Sequence, residues 1–575
     1  MTAETDFAAE AFVTEGGNAL ADGRDMDAEA SFRAALEVSP HFVPANYQLG
    51  MLHLERGRPA DGLPHLQRAA KGQPTASTLT SLGNCFEALG NYEQAILCFR
   101  PVLEKTPQNS DLWAQYANLK EAIGQKAEAT VAYKNALKHN PGNTQAAIKL
   151  AWILWREDSA SAVQPLQAAI KAVSDDLVER AKLLSVLVLF EEWTARIEQD
   201  LPPYHATSLN DLFFHHATDT LKEFATTAST LTQQNQTDSW TLMTEGLALF
   251  ASGAPDKAQA KFTEIADGAF KPMAQSIRFD TLFFDKLETM TDEDLLLDLP
   301  VVETIKTGIF SNTDVLYMSC NSSYFDMFAK PLLRSLADRG PGTEVHIHLM
   351  DSPQDHTEEA HNFCSDLNNV RTALSVERPD FSNASLVSKR AYYHAIRFIR
   401  YYHHFKHYQR SLWLMDVDGL FNKSPDTFFS GSQKADICLR ARPGRLEPWN
   451  QFNACLVGSR PTSHATKYLH RIAAYIAHFY QESQLPWGID QLAMYATFLD
   501  LQRRDTAPKL GFLNETILDY EYRDDSVLWC SSGIGKLSSP SGKSVDQDPN
   551  ATAYDRVFSQ YVSHDDGLDR SEKSV

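Results

Sequence analysis

Four prolines, Pro40, Pro74, Pro107 and Pro141, follow one another at steps of 34, 33 and 34 residues. Ahead of each, the same residue types recur at fixed offsets. Twelve positions before stand Ala28, Gly62, Ala95 and Ala129; eight before, Phe32, Leu66, Phe99 and Tyr133; five before, Ala35, Ala69, Val102 and Ala136. Leu49-Gly50 and Leu82-Gly83 hold equivalent places further upstream, and Trp113 opens the next unit. A period of this length marks a stacked array rather than one globular core. Two short antiparallel helices that cross closely need small residues where their backbones approach, and a large residue one turn later to fill the gap. The proline ends the second helix, because it has no N–H to donate and clashes with the preceding turn.

These units resemble the tetratricopeptide repeat (TPR). The pattern decays after Pro141: residues 143–170 keep Ala151, Ala162, Leu166 and Ala169, and residues 175–235 read as helices without a clear signature. It returns over residues 239–265 with Trp240, Gly246, Ala258 and Phe262. The sequence therefore predicts a TPR solenoid of six or seven helical pairs over residues 1–270, a helical acidic connector over 271–310, and a protein partner or acceptor on the concave face.

From Asp314 the period changes. Val315–Met318, Glu344–Leu349, Ser411–Met415, Asp436–Leu439 and Phe452–Gly458 read as short buried strands, alternating with helices such as Tyr324–Arg339 and Ala391–Tyr408. Such alternation predicts an α/β layer on a largely parallel sheet, whose ligands sit beyond the carboxyl ends of the strands. The third strand runs straight into Asp416-Val417-Asp418. Buried carboxylates are costly unless paired or metal-bound. Two of them at i, i+2 can share one hard divalent cation, which in turn can hold a diphosphate.

In this order and spacing, residues 311–540 resemble a GT-A type glycosyltransferase, most similar to family 8. Val315–Tyr324 matches the opening strand and loop where such enzymes hold the nucleoside, and contains Ser319 and Asn321. Tyr393 and Arg397 match a Tyr-x-x-x-Arg segment ahead of the Asp-x-Asp strand; Phe452–Val457, with Asn453, the strand facing the donor sugar; Asp490-Gln491, the Asp-Gln motif near the reacting carbon; and Gly533–Lys536, the closing His-x-x-Gly-x-x-Lys. The resemblance implies metal binding by Asp416 and Asp418, donor binding by Ser319, Asn321, Tyr393, Arg397, Asp416, Asn453 and Lys536, and catalytic roles for Asp490 and Gln491. Cys530 stands where the family places its metal-binding histidine, and a thiolate suits Mn2+ or Mg2+ poorly. His564 is an alternative ligand.

Other readings stay open residue by residue. Arg397 contacts the donor or pairs with an acid such as Asp416; Asp490 orients the substrate or caps a helix. Asn453 bonds a sugar hydroxyl or is a strand-edge amide, and Lys536 contacts phosphate or solvent. Arg440, Arg442 and Arg445 bind an anionic substrate or line a solvated loop. His403, His404 and His407 lack the Glu of a metalloprotease motif and read as structural or surface residues.

Composition narrows the function classes. A net charge of −21, from 53 basic and 74 acidic residues, argues against a general nucleic-acid binder. The acidic N-terminus has no basic n-region, and no run of about 18 apolar residues spans a membrane. Seven scattered cysteines without a C-x-x-C pair fit reduced thiols in the cytoplasm. The combined expectation is a cytoplasmic glycosyltransferase that moves a sugar from a nucleotide sugar (a UDP-sugar), with Mn2+ or Mg2+, to a protein docked by the array or to a glycan. The alternative is an inactive TPR/GT-A scaffold. Residues 541–575 read as a partly flexible tail with a short helix at 554–562.

Overall fold

The computed structural model describes residues 2–155, 159–197, 218–234, 238–308, 310–382, 384–431, 434–442, 445–514, 516–520, 522–530 and 553–562. The chain divides into two compact units, Met1–Thr194 and Ala195–Val575.

In the first unit helices pack in consecutive pairs: α1 (Thr2–Ala21) with α2 (Asp25–Val38), α3 (Val43–Glu55) with α4 (Pro59–Gly72), α5 (Ala76–Ala88) with α6 (Tyr92–Lys105), α7 (Ser110–Ala122) with α8 (Lys126–His139), and α9 (Thr144–Trp155) with α10 (Ser159–Ala172). α11 (Leu177–Ile197) follows. Pro40, Pro74, Pro107 and Pro141 each stand two residues beyond the end of a second helix. The turn inside each of the first four pairs is made by a glycine at positive φ: Gly23, Gly57, Gly90 and Gly124, at +73°, +70°, +74° and +79°. Only glycine takes that conformation without a Cβ clash. Helix approach is set by a second glycine. A Cβ on Gly83 would lie 2.2 Å from the Phe99 ring, and the same small–large contact joins Gly16 to Phe32 and Gly50 to Leu66.

The second unit begins with more helices. The pair Ser239–Ala251 and Pro255–Thr263 is built like those of the array, with Gly246 against Phe262 and a turn glycine, Gly253, at φ +77°. Yet Leu242, Met243, Phe250 and Phe262 share one hydrophobic core with Tyr475 and Tyr495. The sequence reading closes the array at 270 and makes 271–310 a connector. In the structure, the helices Lys271–Ser276, Thr281–Glu288 and Asp292–Leu296 also belong to the core of this unit. Arg471 Nη2 bonds Glu288 at 2.6 Å, and Arg503 Nη1 donates to the Phe279 carbonyl at 2.8 Å. The repeat signature encodes how two helices meet; it does not encode which core buries them.

The sheet is mixed rather than largely parallel. Its strands are β1 (Glu303–Lys306), β2 (Asp314–Cys320), β3 (Thr343–Met350), β4 (Val370–Glu377), β5 (Ser411–Met415), β7 (Ile437–Ala441), β8 (Phe452–Ser459) and β9 (Leu510–Phe512), in the order β1-β4-β3-β2-β5-β8-β7-β9. β4, β3, β2 and β5 are mutually parallel; β8 runs antiparallel to both neighbours, and β1 antiparallel to β4. A small second sheet joins β10 (Leu518–Asp519), β11 (Leu528–Cys530) and β6 (Gly419–Phe421), in the order β10-β11-β6. Side chains alternate across the main sheet. Val315, Tyr317, Leu412 and Leu414 pack beneath the helices Leu386–Tyr408, Ser463–Gln481 and Ile489–Arg503, whereas Leu316, Met318, Trp413 and Met415 face a second core. The C-terminal helix Ala553–Tyr561 docks on the helix Lys330–Arg339, with Arg334 Nη1 donating to the Tyr561 carbonyl at 2.7 Å.

Candidate functional site

β2 is flanked by β3 on one side and β5 on the other. The chain therefore leaves the carboxyl ends of β2 and β5 in opposite directions, which opens a crevice between them. Asn321 directly follows β2 and Asp416 directly follows β5, so the strand order alone brings the two predicted segments to one place.

A buried arginine organises this crevice. The helix Leu386–Tyr408 carries Arg397, whose side chain is 6% exposed. One terminal nitrogen pairs with Asp416; the other lies 3.4 Å from Asp490. The Arg397 Nε–H donates to the His394 carbonyl at 3.0 Å, which fixes the fork. Arg397 makes the ion pair with Asp416 that one of its two readings named, and it reaches a second acid. Asp490 is buried and does not cap its helix: the N-cap is Gly488, in the left-handed region at φ +84°. The Gln491 amide oxygen accepts from Arg442 Nη1 at 3.3 Å.

Asp416 and Asp418 are both half-buried. Burial raises the Asp416 carboxyl, but the Arg397 charge and a hydrogen bond from the Cys455 thiol outweigh it and hold the group below its usual range. Asp418 is pushed up to about 7, first by burial and then by the neighbouring Asp416 charge. The pairing of β11 with β6 sets Cys530 opposite Gly419, beside this turn. Burial pushes both the Cys455 and Cys530 thiols up. The position where the resemblance places histidine is thus a buried, protonated thiol, while the carboxylate oxygens of Asp416 and Asp418 are hard donors suited to Mg2+ or Mn2+.

The remaining predicted residues divide. Tyr393 sits one turn before Arg397 and donates to Asp351 at 2.8 Å. Asp351, at the end of β3 with φ +64°, was not singled out by the sequence reading. Asn321 caps a short helix by accepting from the Tyr324 N–H at 2.9 Å. The Ser319 hydroxyl is buried without a partner. Asn453 is turned inward: it is 1% exposed, donates to the Tyr520 hydroxyl at 3.0 Å and accepts from the Cys455 N–H at 2.7 Å. Arg440 is likewise turned inward, donating to the Leu518 carbonyl at 2.7 Å. Lys536, Gly533 and His564 lie outside the described residues.

Two further side chains near Arg397, Trp487 and His394, lie in the matched segments but carry no role in the sequence reading. Trp487, just ahead of Gly488, is 54% exposed, and its ring centroid lies 3.9 Å from that of His394, one turn before Arg397. An exposed large aromatic ring three residues ahead of the buried Asp490 is the signal that an exposure-blind reading passes over.

The seven cysteines form no disulfide. Among the described residues no helix is long and apolar enough to cross a membrane. Tetratricopeptide repeat models match residues 14–77, 47–110 and 110–153. No curated protein matches the chain. Several solved structures are similar to it. A tetratricopeptide repeat protein from Parabacteroides merdae is 14% identical, over 48% of this chain and 96% of that one, with a TM-score of 0.32. The Pseudomonas aeruginosa pilF protein is 17% identical, over 40% and 93%, with a TM-score of 0.29. MamA is 17% identical, over 28% and 95%, with a TM-score of 0.27. Residues 14–153 are tetratricopeptide repeats, the architecture of a protein-interaction scaffold, and a mixed-sheet unit follows them.

Proposed function

We propose that the C-terminal unit is a GT-A type glycosyltransferase that takes a sugar from a nucleotide sugar, and that the repeat array docks the protein acceptor or a partner that delivers it. The observation that carries this reading is Asp416-Val417-Asp418 at the carboxyl end of β5, beside the strand-order switch, with Asp416 and Asp490 gripped by the single buried Arg397. Breaking the bond between a sugar C1 and a diphosphate leaves growing negative charge on the phosphate. Fixed positive charge nearby stabilises that transition state. Asp416 and Asp418 would hold the Mn2+ or Mg2+ ion whose charge offsets the leaving diphosphate. Arg397 holds Asp416 ionised and orients Asp490 toward the same crevice. Tyr393 and Asp351 frame the nucleoside side near Asn321. Trp487 offers a flat apolar face to a sugar ring or an acceptor side chain.

The test is turnover. The full chain is incubated with nucleotide sugars and Mn2+, and release of free nucleoside diphosphate is followed. Asp418→Ala should lower the rate by about 100-fold or more at unchanged thermal stability, the scale seen when one charge-stabilising group is removed. Undiminished turnover in Asp418→Ala would refute the site. Cys530 favours one second reading, an inactive scaffold; this predicts nucleoside-diphosphate binding with no turnover of any donor.

A further inference from the structure

A second cluster of chemically capable side chains lies away from the crevice, beneath the helix Leu386–Tyr408. His346 and His348 stand two apart on β3 and so share one face of the sheet. His404 descends onto them from the helix, and its ring centroid is 4.0 Å from that of His346. All three are buried, and one ligating nitrogen from each lies within 4.8 Å of the other two. Among the described residues they form the one such group of three or more metal-capable side chains.

The surroundings argue against a plain packing role. The Ser375 hydroxyl meets both His346 Nε2, at 2.7 Å, and His348 Nδ1, at 2.8 Å, and His346 Nδ1 meets the Tyr408 hydroxyl. This leaves His404 Nε2 and the adjacent Tyr317 hydroxyl buried with no hydrogen-bond partner, and His348 Nε2 with only Glu377 near it, beyond hydrogen-bond distance. Each such orphan costs about 1–3 kcal/mol, and leucine or phenylalanine would fill the same space without that cost. Glu377 supplies an anionic group 3.8 Å from His348 Nε2, itself held by Arg400 and by the Tyr392 hydroxyl.

We propose that His346, His348 and His404 bind one divalent cation of the zinc class, in a structural site that pins the helix Leu386–Tyr408 to β3. Imidazole donors suit Zn2+, Co2+ and Ni2+ rather than Mg2+ or Mn2+. Tetrahedral ligation at about 2.0–2.1 Å requires the three nitrogens to draw in from their present spacing by side-chain rotation, and a fourth donor, water or the Glu377 carboxylate 3.8 Å from His348 Nε2. His404 lies two helical turns beyond Arg397, so the ion would steady the helix that positions the arginine without touching substrate.

The test uses the full chain, produced in zinc-supplemented medium and passed through metal-free buffer, with bound metal measured by mass spectrometry. About one zinc per chain is expected in the wild type and in Asp418→Ala, falling to a small fraction in His404→Gln and His348→Gln. A Co2+-loaded wild type should show the intense visible band of a four-coordinate site, bleached by Zn2+, and this readout stands even if a histidine variant fails to fold. A folded wild type that holds no zinc and gives no cobalt band would overturn the proposal. So would zinc that survives in the histidine variants and disappears in Asp418→Ala.

Discussion

The spacing of the repeat helices rests on glycines that touch a large ring, and Gly83→Ala tests this in sign as well as size. Gly83 lies inside α5, where replacing glycine by alanine ordinarily stabilises by about 0.8–1 kcal/mol through helix propensity. A Cβ there would sit 2.2, 2.7 and 2.8 Å from three atoms of Phe99, and Phe99 is fully buried. The ring cannot swing into solvent, so α5 and α6 must separate. Overpacking of that kind costs about 1–3 kcal/mol. The net expectation is a loss of about 1 kcal/mol. Gly17→Ala is the internal control: it also lies in a helix, but its Cβ would meet nothing within 4 Å, so it should gain about 0.5–1 kcal/mol. Hydrogen exchange on the full chain reads both, because repeat stability is local to neighbouring pairs. Exchange should accelerate in α5 and α6 for Gly83→Ala and slow in α1 for Gly17→Ala. Adding Phe99→Leu to Gly83→Ala should recover part of the loss as a coupling energy. Slower exchange in α5 for Gly83→Ala alone would refute the close-approach reasoning.

Three further outcomes are expected. Arg397→Ala leaves Asp416 and Asp490 without their shared cation and should destabilise the chain by on the order of 3–5 kcal/mol, read as a lower denaturant midpoint. Burial raises the Asp326 carboxyl, but bonds from His356 and Lys330 outweigh this and hold it below its unfolded value. Such a carboxylate stabilises the native state above the unfolded value and ceases to as acid protonates it. The wild type should therefore unfold at a higher temperature than Asp326→Asn at neutral pH, and the gap should close as pH falls below about 4. Trp487→Ala should raise KM for donor or acceptor with little change in melting temperature, since the ring is largely exposed; an unchanged KM would remove the ring from the site.

What the sequence made legible was local. The prolines and the small–large offsets report helix pairs because both partners lie within one repeat. Val315–Met318 and Ser411–Met415 announce themselves as apolar runs bounded by polar residues, and both are core strands. β4 was missed because it reads Val-Arg-Thr-Ala-Leu-Ser-Val-Glu; its Ser375 and Glu377 look like solvent-facing residues, yet both are buried in the network with His348 and Arg400. Asp490 was offered two roles, and its partner in the structure, Arg397, lies 93 residues away. Asn453 and His404 were likewise assigned by long-range contacts, with Tyr520 and with His346. The placement of Cys530 beside Asp418 depends on a β11–β6 register that no local pattern encodes.

The central claim is that the crevice at Asp416 and Asp418 binds a nucleotide sugar through a divalent ion. Thermal unfolding of the full chain, and of Asp418→Ala, with a panel of nucleotide sugars in the presence and absence of Mn2+ tests it most directly. A ligand at about 100 times its dissociation constant adds about 2.7 kcal/mol to the unit that binds it. One donor should raise the melting temperature of the second unit, only with Mn2+ present, and only in the wild type. A folded chain that no donor stabilises, or a shift that Asp418→Ala retains in full, would contradict it.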